Sequence, residues 1–189
     1  MKRKIGMLGG TFDPPHNGHL LIAEQAREQL GLEEVWFVLS NIPPHKQKTS
    51  TTNADRLAML TAATAGNPHF SVCTIELERS GPSYTIDTVL QLTGEYPENE
   101  FYFIIGGDMV EYLPNWHRAE ELVKLIRFAG VRRSGYSVKT PYPVELVDIP
   151  MFDVSSSLIR RNIKLGRSVR YLLPEAVLNY IEEKQLYGD

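Results

Sequence analysis

The segment whose residue types and spacing are best suited to binding and catalysis is residues 9–19, GGTFDPPHNGH. Its glycines let backbone N–H groups approach a ligand closely, and a helix start adds the positive end of a dipole. We expect the segment to follow a first strand over residues 5–9 and to open a helix. The pattern therefore predicts an anion site, with His16 and His19 placed three residues apart so that both can face one phosphate.

The histidine pair has other interpretations when it is taken alone. One histidine could cap the helix while the other lies on the surface. A zinc pair is a further alternative, although no Glu follows His16 and metal-binding pairs on helices are usually four residues apart. The segment has neither the G-x-G-x-x-G spacing nor the P-loop spacing. Phosphate binding here is therefore assigned to histidine rather than to a P-loop lysine.

A second group of donors, Ser155, Ser156 and Ser157, begins a helix predicted over residues 155–165. Hydroxyls and unpaired N–H groups at a helix start can bind an anion, and the same serines can simply cap the helix. The sequence leaves both interpretations open for this group.

Short apolar segments alternate with helical ones along the chain. Residues 35–39 and 101–105 are continuous apolar runs, typical of parallel strands buried on both faces. The remaining predicted strands are 70–77, 128–132 and 144–149, and the predicted helices are 19–30, 55–65, 85–92, 120–126, 155–165 and 175–184. This alternation predicts an α/β fold with a doubly wound parallel sheet, in which ligands bind beyond the carboxyl ends of the strands. We expect one domain over residues 1–189, with residues 155–189 as a small helical subdomain at the sheet edge.

Composition excludes several classes of protein. The 189 residues carry a net charge of −3 and include 42 % hydrophobic residues, as in an ordinary globular domain. No apolar run approaches the ~18 residues of a membrane helix, and the N-terminal apolar stretch is too short for a signal peptide. The single cysteine, Cys73, allows no internal disulfide. We therefore expect a cytoplasmic protein without membrane or nucleic-acid partners.

Residues 16–19, His-Asn-Gly-His, resemble the His-x-Gly-His signature of the nucleotidylyltransferase superfamily. The longer pattern Gly-Gly-Thr-Phe-Asp-Pro-x-His is similar to that of bacterial nicotinate-nucleotide adenylyltransferases, which act in NAD synthesis. Further segments match the same family in order along almost the whole chain. They are residues 42–46, 81–88, 103–108, 113–116 and 154–160, then 173–174 with 180–181 and 186–187.

The resemblance implies a Rossmann-like nucleotidylyltransferase fold and adenylyl transfer from ATP, with its Mg²⁺, to nicotinate mononucleotide. The products would be nicotinate adenine dinucleotide and pyrophosphate, formed by direct in-line attack without a covalent enzyme intermediate. It implies catalytic roles for His16, His19 and Arg160, and no metal ligand from the protein. The implied ATP-binding residues are Gly9, Gly10, Thr11, Phe12, His16, His19, Gly106, Asp108, Arg133, Ser155, Ser156, Ser157 and Arg160.

On the mononucleotide side, the resemblance implies that Trp116 stacks on the nicotinate ring. Thr85 and the backbone near Tyr112 would donate to its carboxylate, and Lys46 would hold a phosphate. The sequence departs from the family pattern at two positions: Ser134 stands where proline is common, and His117 stands where an aromatic residue commonly follows the tryptophan. These departures leave the discrimination between the nicotinate and nicotinamide forms open.

Several other functions remain alternatives. The acceptor could be nicotinamide mononucleotide or phosphopantetheine, although residues 82–85 and Trp116 argue against both. A metal hydrolase would use the histidine pair with Asp13 or Asp108, and a non-catalytic nucleotide-binding module would not need transition-state contacts. Class I aminoacyl-tRNA synthetases share the histidine signature, but this chain is too short for tRNA-binding domains. A homo-oligomer is as compatible with the sequence as a monomer.

Overall fold

One parallel sheet organises the computed structural model, which describes residues 2–41, 51–79, 81, 83–133, 139–150 and 152–188. Within these residues the sheet has six strands in the order β3-β2-β1-β4-β5-β6, and all neighbours are parallel. The strands are β1 (Arg3–Gly10), β2 (Glu34–Leu39), β3 (Phe70–Cys73), β4 (Asn99–Gly106), β5 (Arg127–Arg133) and β6 (Val144–Ile149). The chain order reverses between β1 and β4, so a crevice opens at the carboxyl ends of these two strands.

Helices occupy the connections between the strands. In the described part of the chain they are α1 (Asn17–Leu30), α2 (Asn53–Thr64), α3 (Thr85–Glu95), α4 (Gly107–Tyr112), α5 (Ala119–Leu125), α6 (Ser156–Lys164) and α7 (Glu175–Lys184), with a 3₁₀ turn at Leu113–Asn115. The doubly wound α/β fold predicted from the alternation of elements is confirmed.

Successive side chains of the central strands point to opposite faces of the sheet, so the interior has two apolar cores, one on each face. Ile5 and Met7 of β1 contact one core, together with Phe103 of β4, and Leu8 contacts the other with Ile104. Helices α3, α4 and α5 cover the first core, and α1 and α2 cover the second. Burying one such side chain stabilises the fold by roughly 1.5–3 kcal/mol, so both faces of the central strands hold their helices firmly.

The last two helices pack on α2. Met59 and Ala63 of α2 form a third apolar cluster with Ile159 of α6 and with Val177 and Ile181 of α7. This outer layer lies over α2, the helix that contacts the edge strand β3. It also brings the start of α6 toward the carboxyl end of the sheet. That residues 155–189 form a separate subdomain stays a prediction.

Most element boundaries differ from the predicted ones by one to three residues, one strand is four residues shorter at its end, and one helix was not predicted. Strand β3 ends at Cys73 rather than at residue 77, because among the described residues it pairs with β2 alone and that pairing stops at Val38 and Cys73. Helix α4 was not predicted. It is a single short helix set between Gly106 and Pro114, too short to show an apolar period.

Candidate active site

The loop between β1 and α1 lies at the crevice and consists of residues 11–16. Phe12 has a φ of 47°, a left-handed conformation that is unusual for a bulky residue. Its ring is buried and lies directly over Gly10, where a Cβ atom would come within 3.0 Å of the ring. The Phe12 ring also meets the His19 ring edge-on, with 5.0 Å between centroids. Gly10 therefore lets Phe12 fold back and support His19.

The two signature histidines stack on each other at the start of α1. Their ring centroids are 3.6 Å apart and their planes differ by 21°. The backbone N–H of His16 donates to His19 Nδ1 at 3.2 Å. Because Nδ1 accepts this bond, the hydrogen of the neutral His19 ring is on Nε2. His19 can therefore offer an N–H donor to an anion in the crevice.

His16 is the N-cap residue of α1 and is only 6 % exposed. Burial lowers its pKa from the ordinary 6.5 to about 4. Its Nδ1 atom has no hydrogen-bond partner among the described residues. The ring fits because residue 18 is glycine: a Cβ there would lie 3.0 Å from His16 Nδ1 and 2.7 Å from Val154 Cγ1. A neutral His16 avoids placing two cations face to face.

We expect this buried histidine to make the protein sensitive to acid. Its folded-state pKa lies below its unfolded value, so the stability that it contributes is complete above pH 6.5 and is lost as the pH falls toward 4. Each pKa unit corresponds to about 1.4 kcal/mol, so the free energy of unfolding should fall by on the order of 3 kcal/mol over this pH range. Urea unfolding at pH 7.5 and 4.5 measures the loss. A His16→Gln variant should show less of it, and an identical pH dependence in the two proteins would contradict the assignment.

The start of α6 meets the β1–α1 loop. Ser155 caps α6 by accepting a bond from the Leu158 N–H at 3.2 Å, and Ser156 Oγ donates to the Pro14 carbonyl at 2.8 Å. Arg160 donates through Nη1 to the Asp13 carbonyl at 2.7 Å and through Nη2 to Ser157 Oγ at 3.3 Å. The N-termini of α1 and α6 therefore converge on one loop, and their dipoles make it attractive to anions.

The opposite wall of the crevice is the end of β4. Gly106 is the last residue of β4 and the N-cap of α4, and Asp108 is exposed in the first turn of that helix. Asp108 Oδ1 lies 2.8 Å from the position of a Cβ on residue 106, so the carboxylate folds back over Gly106. Tyr112 is exposed at the last position of α4, where its N–H lies within the helix rather than at its start.

The residues expected on the mononucleotide side lie around α3 and α5. Thr85 is the first residue of α3, where helical N–H groups lack intrahelical partners. Trp116 is half-buried and packs edge-on against Phe103 and Phe128, with centroid distances of 5.8 and 6.1 Å. The exposed His117 lies against the Tyr84 ring at 4.8 Å.

Some predicted residues lie outside the described part of the structure. They are Lys46, Ser134 and the side chain of Arg133. The other predicted phosphate-binding residues lie on the β1–α1 loop, at the end of β4 and at the start of α6.

Arg56 organises the site but was missed by sequence reasoning. Its guanidinium is fully buried and donates to the carbonyls of Thr11 and Ser40, at 2.8 and 2.7 Å, and to Asn53 Oδ1 at 2.7 Å. It therefore ties the ends of β1 and β2 together. The sequence does contain an indication of this buried position, because Arg56 lies at helical spacing from Met59, Leu60 and Ala63 on the core-facing side of α2. An arginine at such a position must satisfy its donors inside the protein.

The fold and the site together define a class of enzyme. The cytidylyltransferase-like family model matches residues 7–162, most of the chain, so the protein is a cytidylyltransferase-like nucleotidyltransferase. A protein of Geobacillus thermodenitrificans (strain NG80-2), named "Probable nicotinate-nucleotide adenylyltransferase", is 59 % identical over 98 % of this chain and 86 % of its own length. A protein of Bacillus anthracis (strain CDC 684 / NRRL 3495) with the same name is 58 % identical over 98 % of both chains. The chain belongs to the nicotinate-nucleotide adenylyltransferase family, which confirms the resemblance found in the sequence.

Solved structures agree on the fold. The Plasmodium falciparum nicotinic acid mononucleotide adenylyltransferase complexed with NaAD superposes with a TM-score of 0.80 at 22 % identity, covering 98 % of this chain and 97 % of that one. The same enzyme complexed with APC gives a TM-score of 0.78 at 21 % identity, with the same coverage. At this identity the likeness supports the fold alone. None of the described helices is both long and apolar enough to cross a membrane.

Proposed function

We propose that this enzyme transfers the adenylyl group of ATP to nicotinate mononucleotide, forming nicotinate adenine dinucleotide and pyrophosphate. One observation carries the proposal. The N-termini of α1 and α6 converge on the loop that holds the stacked histidines, at the point where the strand order reverses. Together with the family to which the chain belongs, this convergence supports a site for the phosphates of ATP.

The mechanism is in-line attack of the mononucleotide phosphate on the α-phosphorus of ATP. The bond from the attacking oxygen to phosphorus forms as the bond to pyrophosphate breaks. The protein's task is then to position two anions and to stabilise charge on the transferring group. His19 Nε2–H donates to the α-phosphate, and the two helix N-termini add fixed positive potential. Arg160 carries five N–H donors, of which two Nη atoms bond to described residues, and we assign further donors of this group to the β- and γ-phosphates.

Mg²⁺ enters this scheme as part of the substrate, bound to ATP. Among the described residues, no group of three or more His, Cys, Asp or Glu side chains is placed to hold a metal ion. The donors of the site are instead neutral or cationic, which suits an ion ligated mainly by phosphate oxygens and water. In the same proposal Asp108 accepts bonds from a ribose, Arg133 lies on the adenosine side, and Lys46 holds a phosphate.

For the base, the proposal uses α3 and Trp116. The first-turn N–H groups at Thr85 and a backbone N–H near Tyr112 donate to the nicotinate carboxylate. An amide NH₂ facing the same donors would be disfavoured. The exposed part of Trp116 stacks on the pyridine ring. We also propose that the enzyme acts in the cytoplasm, which agrees with its single cysteine and its use of ATP.

The decisive experiment is pyrophosphate release by the purified protein with Mg·ATP and either mononucleotide. We expect fast release with nicotinate mononucleotide and little with the nicotinamide form. Comparable rates would overturn the assigned acceptor specificity while retaining adenylyl transfer. No release with either acceptor would overturn the proposed function itself.

Trp116→Ala should raise the KM for nicotinate mononucleotide far more than the KM for ATP, because only the mononucleotide loses a stacking partner. Steady-state kinetics with each substrate varied in turn measures the difference. Trp36→Ala is the matched control, because Trp36 is a half-buried tryptophan of β2 that packs against Tyr96 and Phe101. Equal increases in both KM values for Trp116→Ala would remove this residue from the base pocket.

A further inference from the structure

Tyr187 follows α7 and lies 174 residues along the chain from Asp13, yet the two side chains meet. The Tyr187 hydroxyl donates to Asp13 Oδ1 at 2.6 Å, and Thr51 Oγ1 donates to the same oxygen at 2.7 Å. Asp13 is only 4 % exposed. Hydrogen bonds to a carboxylate are roughly twice as strong as neutral ones. Two hydroxyl groups therefore fix the orientation of a buried carboxylate inside the signature loop.

The backbone of the same loop is held by α6. The carbonyl of Asp13 accepts from Arg160 and that of Pro14 accepts from Ser156. His16 follows two residues after Pro14. A shift of the loop backbone at Asp13 would therefore disturb the Arg160 contact and the neighbouring histidine stack together.

The segment after α7 has a conformation that delivers Tyr187 to this place. Gln185 and Tyr187 both have left-handed φ angles, 50° and 67°, which residues with side chains adopt rarely. The N–H of Leu186 bonds back to the Ile181 carbonyl at 3.0 Å. This bond is a local C-cap of α7, and the long-range bond of the Tyr187 hydroxyl to Asp13 fixes the residue that follows it. Burial and the Asp13 carboxylate raise the pKa of Tyr187, so its hydroxyl stays a donor.

Charge gives a reason for the arrangement. A carboxylate beside a phosphate site repels the phosphates unless it is held and compensated. Asp13 has two hydroxyl donors, and its charge also stabilises the buried Arg56 cation. We propose that Tyr187 is a positioning residue for the phosphate-binding loop. It acts through Asp13 and keeps Arg160 and the histidine pair in the correct positions relative to each other. This inference rests on the proposed function.

Tyr187→Phe tests it, because phenylalanine keeps the ring and removes only the donor. The matched control is Tyr180→Phe. Like Tyr187, Tyr180 donates its hydroxyl to a carboxylate, but its acceptor is Asp55 Oδ1 of α2, at 3.0 Å, and not the phosphate-binding loop. We expect Tyr187→Phe to lower kcat by about tenfold, the scale of one lost bond to a charged group. The KM for nicotinate mononucleotide should stay within about twofold, and Tyr180→Phe should change kcat by less than about twofold. Equal losses of kcat in the two variants, or an unchanged kcat in Tyr187→Phe, would overturn the proposal.

Two further measurements separate positioning from general destabilisation. In an Asp13→Asn background, Tyr187→Phe should have little additional effect on kcat, whereas additive effects would show that Tyr187 does not act through Asp13. Amide hydrogen exchange of residues 11–19 in the substrate-free protein should become faster in Tyr187→Phe and not in Tyr180→Phe. This exchange measurement tests the positioning role even if the wild type releases no pyrophosphate, which would overturn the proposed function alone.

Discussion

His19→Ala should lower the kcat of adenylyl transfer by about 10²-fold or more, the scale of losing one preorganised donor to a developing charge. The physical reason is the position of its hydrogen. Because Nδ1 accepts from the His16 N–H, the neutral ring carries its hydrogen on Nε2, the donor that we propose for the α-phosphate, and alanine has no such donor. Steady-state rates of pyrophosphate release at saturating substrates measure the effect.

Two companion variants sharpen the His19 prediction. His19→Gln keeps a neutral N–H donor and should recover part of the lost rate. His69→Ala is the matched control, because His69 is exposed next to β3 and its ring contacts the Glu33 carbonyl rather than the site. A His19→Ala variant with wild-type kcat would remove His19 from the transition state.

Arg56→Met should produce the largest loss of stability, about 3–5 kcal/mol in the free energy of unfolding. The guanidinium is fully buried and donates to three backbone carbonyls and one side-chain oxygen. Methionine fills much of the volume but leaves the partly buried carbonyls of Thr11 and Ser40 without these donors, a costly kind of hydrogen-bond deletion. Urea unfolding at pH 7.5 measures the change.

The control for Arg56→Met is Arg3→Met. Arg3 has an exposed side chain that pairs with Glu33 and Glu34 at the surface, so its loss should hardly move the unfolding midpoint. Arg56→Lys should fall between wild type and Arg56→Met, since one ammonium group cannot reach all four acceptors. Equal midpoints for Arg56→Met and Arg3→Met would show that the buried network contributes little.

Much of the fold and part of the site could be predicted from local patterns. The continuous apolar runs in β2 and β4 indicated strands buried on both faces, because a parallel sheet must cover both its faces with helices. The predicted ends of elements were wrong where the apolar pattern of the sequence continues beyond the strand pairing in the sheet. The apolar residues after Cys73 continue the strand pattern of β3, but β2 offers them no partner. The short helix α4 has less than two turns, so no apolar helical period can be recognised in its sequence.

The sequence by itself determined the alternation of strands and helices, the anion-binding character of residues 9–19 and the family of the enzyme, since these depend on neighbouring residues and their spacing. Only the tertiary structure decided how the site is held. Burial lowered the pKa of His16, Arg56 joined the ends of β1 and β2, and Tyr187 reached Asp13 across 174 residues. The reason is that burial and long-range hydrogen bonds depend on which elements pack together, and the pattern of any one segment does not contain that information.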